Sequence, residues 1–142
     1  MFTVEQHICI NRPVAEVFGY VTNPANIPRW RADVLGITGA DGSVSIGSQF
    51  EELVNFMGHK TYTMRVTEYQ PHRRAVIQAI AGPGVSPTQT FEFEPSDSGT
   101  HFSVCAQVRT AGMFRLMEPM MPGMFKKTWG QYLANLKQIL EG

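Results

Sequence analysis

The sequence is poor in the residues that most directly indicate a chemistry. Its only cysteines, Cys9 and Cys105, lie far apart and have neither CxxC nor Cys/His spacing. A zinc site and a disulfide framework are therefore not indicated. Twelve Lys and Arg residues balance twelve Asp and Glu residues, so the net charge is zero. A chain without net charge has no strong electrostatic field that would attract nucleic acid or an anionic membrane, and we expect no nucleic-acid partner.

Long apolar runs and catalytic motifs are also missing. No apolar run approaches the roughly 20 residues needed to span a bilayer, and the first residues lack the pattern of a secretory signal. We therefore expect a cytoplasmic location. None of the four histidines forms a recognisable catalytic arrangement with a nucleophile and a carboxylate. The segment 82–84 (GPG) lacks the phosphate-loop pattern. These observations predict no metal and no cofactor. A length of 142 residues predicts one domain over 1–142.

Alternating apolar and polar residues predict a series of strands. The first is Phe2 to Ile10, after which Asn11 is expected to cap a short helix whose first turn holds Pro13. A second short helical turn ends at Trp30. A turn is expected at 39–42 and a glycine- and proline-rich loop at 81–87. The later strands are predicted at 34–38, 48–56, 60–69, 73–80, 88–94 and 100–109.

The C-terminal part of the sequence predicts helix. Pro119 and Pro122 indicate a lead-in helix from Met113, a break near 119–123, and a regular helix to Leu140. Apolar residues there follow helical spacing at Phe125, Trp129, Tyr132, Leu136 and Leu140. Short loops between successive strands predict an antiparallel meander, and the long helix must cover its apolar face.

This order of elements and several short motifs resemble one known superfamily. The motifs stand, in order, at 11–18 (NRPVAEVF), 23–30 (NPANIPRW), 46–50 (IGSQF), 69–74 (YQPHRR), 93–95 (FEP) with 99–100 (GT), and 133–137 (LANLK). The chain resembles the START-like (SRPBCC) superfamily, in its polyketide cyclase/dehydrase and lipid-transport branch. The resemblance implies an α+β helix-grip fold, in which a curved seven-stranded antiparallel sheet wraps around a long C-terminal helix and two short helices follow strand 1.

One helix over a wide curved sheet can leave an apolar hollow, and strand parity indicates which side chains face it. The predicted ligand-binding residues are mostly aromatic or Met: Phe18, Trp30, Phe50, Glu52, Tyr62, Gln89, Phe91, Phe93, Met117, Met121, Phe125 and Trp129. Five methionines between Met113 and Met124 are interpreted either as core filling or as a deformable opening.

Glu52 is a carboxylate on an otherwise apolar strand face. We favour a bulge or strand end that places it in water; the alternative is a polar anchor inside the hollow, with a raised pKa. Tyr62 and Gln89 either bond a ligand or are satisfied by neighbouring backbone. Catalytic residues remain unknown, with Glu52 and Tyr62 as weak candidates.

Three functions follow from the sequence and the resemblance. The first is binding of a hydrophobic small molecule, such as a lipid, quinone or polyketide-like aromatic. The second is an enzyme of the polyketide cyclase or dehydratase type that uses the same hollow. The third is a co-chaperone-like protein-binding domain, which would show a large exposed apolar patch. Pairing into a homodimer is left open.

Overall fold

The fold is a curved seven-stranded antiparallel sheet with a long C-terminal helix, as the resemblance implied. It is seen in a computed structural model that describes residues 1–40 and 44–142. The strand order across the sheet is β1-β7-β6-β5-β4-β3-β2. The strands are β1 (Phe2–Ile10), β2 (Val34–Thr38), β3 (Gln49–Asn55), β4 (His59–Gln70), β5 (Arg74–Ala81), β6 (Val85–Ser96) and β7 (Gly99–Thr110).

Alternation along the strands explains which face of the sheet is buried. Side chains in a strand point alternately to opposite faces; every second residue is buried in β3 and β7, and in β6 the same alternation holds from Gln89 to Phe93. The inward parity predicted for Phe91, Phe93 and Gln89 is confirmed, since all three are buried. The same holds for Tyr62 and Met64 on β4.

Strand β6 begins earlier than predicted, which corrects the expected loop at 81–87. Val85 already pairs with Thr110, and Pro87 lies opposite Val108. A proline cannot donate to a strand ladder. Here β5 pairs with β6 only from Thr88 onward, so no β5 neighbour requires the missing N–H of Pro87. Only residues 82–84 separate the two strands.

Short helices follow β1, close to the predicted positions. They are α1 (Val14–Thr22), a 3₁₀ turn (Pro24–Asn26) and α2 (Ile27–Trp30). The predicted capping role of Asn11 is wrong, because Pro13 occupies the cap position and no side chain caps α1. The Asn11 backbone N–H instead donates to Glu141 at 2.7 Å. The turn predicted at 39–42 falls partly outside the described residues.

The C-terminal segment has the predicted lead-in helix and break. Helix α3 (Met113–Met117) is followed by a 3₁₀ turn (Glu118–Met120) and by α4 (Met121–Glu141), a helix of 21 residues. The break ends at Met121, slightly earlier than expected, because Pro122 is accommodated in the first turn of α4, where no backbone N–H is needed.

Helix α4 runs parallel to the edge strand β1 and is attached to it at both ends. Near its start, the rings of Phe125 and Phe2 meet edge to face, with centroids 5.4 Å apart. Near its end, Lys137 Nζ donates to the Cys9 carbonyl at 2.7 Å. This attachment fixes which face of α4 lies over the sheet. The buried residues of that face are Met121, Trp129, Tyr132, Leu133, Leu136 and Leu140.

Candidate functional site

A cavity of about 260 Å³ lies between the sheet and the first half of α4. Strands β3, β4, β6 and β7 supply most of its wall, together with α4 and the segment that joins α2 to β2. The exposed members of the lining, Asn55 and Met124, mark its opening. The lining residues are Arg31, Asp33, Glu52, Val54, Asn55, Phe56, Tyr62, Met64, Val85, Pro87, Gln89, Ala106, Val108, Met124, Phe125, Thr128, Trp129 and Tyr132.

Apolar side chains form most of the wall, and the small Ala106 leaves room in it. Ala106 is buried on β7, between Val104 and Val108 on the same face. Next to the opening, Phe56 stacks on Phe114 with centroids 5.5 Å apart and meets Phe125 edge to face at 5.7 Å. These rings provide a largely apolar surface from the opening inward.

The loop 82–84 closes another part of the wall through two close approaches. A Cβ atom on Gly82 would lie 2.1 Å from the Tyr62 ring, and one on Gly84 would lie 2.3 Å from the Phe114 ring. Both glycines have positive φ, which other residues rarely adopt. The Tyr62 hydroxyl donates to the Pro83 carbonyl at 2.6 Å, and burial raises the pKa of Tyr62.

A buried charged cluster interrupts the apolar wall. Arg31 Nη2 lies 3.1 Å from Asp33 Oδ2, and Arg31 Nη1 lies 3.5 Å from Glu52 Oε2. The guanidinium also stacks over Trp129, 5.3 Å from the ring centroid, and over Tyr132 at 5.9 Å. Arg31 and Glu52 are buried, whereas the side chain of Asp33 is 26% exposed. The cluster therefore joins one cation to two carboxyl groups.

Several polar atoms of this cluster lack a hydrogen-bond partner. Within the described part of the chain, no donor bonds Glu52 Oε2, and Arg31 Nε and Asp33 Oδ1 are also without partners. Such atoms are rare in folded proteins and are costly when buried. Oε2 itself is fully buried against Arg31, but Glu52 as a residue lines the cavity, so a molecule placed there can approach its carboxyl group.

Burial and charge shift the pKa values of this cluster. Burial raises the pKa of Glu52, and the nearby Arg31 opposes this only in part. Burial alone would lower the pKa of Arg31, but the carboxyl groups of Asp33 and Glu52 outweigh it and the pKa is raised. Tyr132 keeps its proton because burial and the Asp33 carboxylate raise its pKa. Burial therefore favours the protonated form of Glu52 beyond what is usual for a glutamate.

The structure divides the predicted site residues into two groups. Glu52, Tyr62, Gln89, Phe125 and Trp129 line the cavity. The exposed position favoured for Glu52 is wrong, because its side chain pairs inward with Arg31. The other predicted residues pack in or against the core and are not brought to the cavity: Phe18, Trp30, Phe50, Phe91, Phe93, Met117 and Met121. Ligand contact at all twelve positions stays a prediction.

Packing explains why the second group lies elsewhere. Phe18 meets Phe93 edge to face, with centroids 5.0 Å apart, and Trp30 packs in the same way on Phe91 at 6.3 Å. These contacts fill the space beneath the short helices. Of the methionines from Met113 to Met124, only Met124 joins the cavity lining, while Met121 is buried in the core. The exposed ones are Met113, Met120 and Met124.

Sequence reasoning missed Arg31, Asp33 and the role of Tyr132 at the cavity. Arg31 and Asp33 lie between α2 and β2, where no periodic pattern assigns an inward direction. Arg31 directly follows the fully buried Trp30, which is a weak signal for a buried neighbour. Tyr132 was already part of the predicted apolar stripe of the C-terminal helix, but its proximity to a charge was not foreseen.

Two further features concern membranes and metals. None of the helices in residues 1–40 and 44–142 is long and apolar enough to cross a membrane. In the same described residues, no three His, Cys, Asp or Glu side chains form a group that could hold a metal ion.

Comparison with known proteins places the chain in a family. The family model described as polyketide cyclase / dehydrase and lipid transport matches residues 1–141. The chain belongs to this family. None of the curated proteins matches the sequence of this family member.

Solved structures of low sequence identity share its fold. A protein from Thermus thermophilus has a TM-score of 0.81 at 13% identity, over 96% of this chain and 95% of that one. A START superfamily protein from Mycobacterium smegmatis has a TM-score of 0.79 at 17% identity, over 98% and 97%. DynU16, a protein of the dynemicin biosynthetic locus, has a TM-score of 0.71 at 18% identity, over 98% of this chain and 47% of that one.

Proposed function

We propose that this protein binds a hydrophobic small molecule in the cavity between the sheet and α4. The observation that carries the proposal is the cavity itself, with a volume of about 260 Å³ and a mostly apolar lining. An engineered apolar cavity of roughly 150 Å³ accommodates benzene. By this measure the space suits a molecule of about two fused rings, or a longer one that extends through the opening.

The energetics also favour a ligand. Unfilled apolar space costs about 24 cal/mol per Å³ in a measured series of buried cavities, and apolar burial contributes about 25 cal/mol per Å². A guest that covers Met64, Ala106 and Val108 would recover part of this free energy. Membership of a family described by polyketide and lipid chemistry supports the same class of ligand, an apolar compound or an aromatic polyketide.

A cavity-filling substitution tests the proposal. Ala106→Phe places a ring in the space that the ligand would occupy, since Ala106 is both buried and part of the lining. We expect calorimetric titration with 2-naphthol to show binding to the wild type and at least a tenfold weaker affinity for this variant. Ala134→Phe, the same change at an exposed position of α4, is the matched control and should bind like the wild type.

Two outcomes would count against binding in the cavity. The first is an unchanged affinity in Ala106→Phe, provided that circular dichroism shows a folded protein. The second is the absence of binding by the wild type to naphthalene derivatives and to medium-chain alcohols alike.

A reaction of the cyclase or dehydratase type is a second candidate. It is favoured by Glu52, a buried carboxyl group that faces the cavity and whose pKa is raised, as a general acid or base requires. Tyr62 is less suited to this role, because its hydroxyl already donates to Pro83. Turnover of a reactive polyketone that falls at least a hundredfold in Glu52→Gln, but not in Tyr62→Phe, would support this function. Absence of turnover would leave binding alone.

A further inference from the structure

We propose that the ligand carries a neutral hydrogen-bond donor, a hydroxyl or phenol group, on its apolar body, and that the pocket discriminates against carboxylates. This inference rests on the proposed function and specifies the ligand class of the same cavity. It follows from the way in which Arg31, Asp33 and Glu52 are arranged at the wall.

Arg31 is the group of the cluster that could attract an anionic ligand. A buried arginine beside an apolar cavity would ordinarily favour a carboxylate ligand, such as a fatty acid. Here Arg31 is already bonded to Asp33 at 3.1 Å, faces Glu52 at 3.5 Å and stacks on Trp129. The positive charge of Arg31 is balanced by the carboxyl groups of Asp33 and Glu52, although its Nε has no hydrogen-bond partner among the described residues. A ligand anion would lose its hydration without gaining a partner of opposite charge, which is unfavourable.

The Glu52 carboxyl group is a hydrogen-bond acceptor in the cavity lining that the protein leaves unsatisfied. Its Oε2 receives no hydrogen bond from the described residues, although it lies 3.5 Å from Arg31 Nη1. A hydroxyl group on the ligand can donate to this carboxyl group, and a carboxylate cannot. If Glu52 is protonated, its carboxyl group still accepts from a hydroxyl through one oxygen and donates through the other. A neutral donor can therefore bond Glu52 in both protonation states, whereas an anion is repelled by the ionised form.

The rest of the cavity wall offers polar groups but no further cation among the described residues. Gln89 on β6 is the other buried polar residue of the lining on the sheet side, and its amide carries no charge. The Tyr62 hydroxyl is engaged by Pro83. Nothing else in the cavity lining adds a cation, since Arg31 is its only Lys, Arg or His among the described residues. The preference is therefore set by the charged cluster.

Three ligands of one shape separate the possibilities. These are 2-naphthol, which donates a hydrogen bond, 2-methoxynaphthalene, which does not, and 2-naphthoate, which is an anion. A hydrogen bond to a charged group favours the donor by roughly ten- to a hundredfold in affinity. We expect calorimetric titration of the wild type near neutral pH to rank 2-naphthol at least tenfold tighter than either of the others.

Variants at Glu52 then assign the preference to this residue. Glu52→Leu removes the acceptor, so the affinities for 2-naphthol and 2-methoxynaphthalene should become equal within a factor of about three. Glu52→Gln keeps an acceptor of similar shape, so part of the preference for 2-naphthol should remain. Glu92→Gln, the same change at an exposed carboxylate, should leave the ranking of the wild type intact.

The outcomes separate this inference from the proposed function. Similar binding of all three compounds to the wild type would overturn the inference and leave apolar binding standing. Tightest binding of 2-naphthoate would overturn it as well, because Arg31 would then be available to an anion. Binding of none of them would overturn the proposed function itself. A preference that survives in folded Glu52→Leu would also overturn the role of Glu52.

Discussion

The buried pair of Arg31 and Glu52 gives a prediction about stability that can be worked out from distances. Their side chains are 7% and 4% exposed, and Arg31 Nη1 lies 3.5 Å from Glu52 Oε2. At an effective dielectric constant of about 20, two unit charges at this distance attract by roughly 5 kcal/mol. Measured losses on removing one partner of a buried pair are about 3–5 kcal/mol, because the remaining charge is left uncompensated.

We therefore expect Arg31→Met to lower the free energy of unfolding by about 3–5 kcal/mol where Glu52 is charged. In the Glu52→Gln background the same substitution should cost less, because no buried carboxylate is then left alone. A double-mutant cycle should give a coupling energy of about 1–3 kcal/mol. Urea unfolding measures the free energy of unfolding of the wild type, the two single variants and the double variant. The slope of this free energy against urea concentration should be the same for all four if unfolding is two-state.

The matched control is an exposed pair on the outer face of the sheet. Arg74 Nη1 lies 3.1 Å from Glu92 Oε2, with side chains that are 35% and 56% exposed. Exposed pairs contribute about 0.2–1 kcal/mol, so the cycle of Arg74→Met and Glu92→Gln should show this smaller coupling. Since only a charged Glu52 attracts Arg31, the buried coupling should grow as pH rises above the usual pKa of a glutamate. A buried coupling no larger than the exposed one at every pH tested would contradict this expectation.

Three further predictions concern individual residues. Burial raises the pKa of Glu52 in the folded protein above its value of about 4.5 in the unfolded chain, so the stability that this group contributes is present below that pH and is lost as pH rises. Urea unfolding at a series of pH values should show the difference in free energy of unfolding shifting in favour of Glu52→Gln as pH rises. A difference that stays constant with pH would contradict this. Gly82→Ala should destabilise the protein by roughly 2–4 kcal/mol, because φ is +145° and the new Cβ overlaps the Tyr62 ring. Gly19→Ala, in a helix with open space around it, should instead stabilise the protein by up to about 1 kcal/mol. Similar shifts of the thermal unfolding midpoint for both variants would be inconsistent with this account. Tyr62→Phe should cost about 0.5–1.5 kcal/mol through loss of the bond to Pro83, measured by chemical unfolding, and no loss would mean that the hydroxyl is equally well bonded to water.

Much of the fold could be predicted because local patterns and tertiary burial agree. The period of two along β7 and the central part of β6 follows from one face being buried. The start of β6 was missed for a nonlocal reason. Pro87 is tolerated because β5 does not extend beside it, and the length of a neighbouring strand cannot be inferred from the segment 81–87 itself.

The candidate site was predictable only where a periodic pattern applies, which is the parity of a strand or the spacing of a helix. Parity placed Glu52, Tyr62 and Gln89 on the inner face, but it did not show whether Glu52 met water or a partner there. Its partner Arg31 lies in a nonperiodic connection. Neither strand parity nor helical spacing could separate aromatic residues that fill the core, such as Phe91 on β6, from those that border the cavity, such as Phe125 on α4. That distinction depends on how the curved sheet and α4 are spaced, which no short stretch of sequence encodes.

Methionine methyl groups offer the most direct test of ligand binding inside the cavity. Met64 lies in the cavity lining, Met124 at its opening, and Met113 and Met120 are exposed outside it. The protein labelled with ¹³C at its methionine methyl groups would be titrated with 2-naphthol and followed by NMR. We predict intermolecular nuclear Overhauser effects and saturable shifts at Met64 and Met124. A response confined to Met113 and Met120, with Met64 unchanged at saturating ligand, would contradict the central claim.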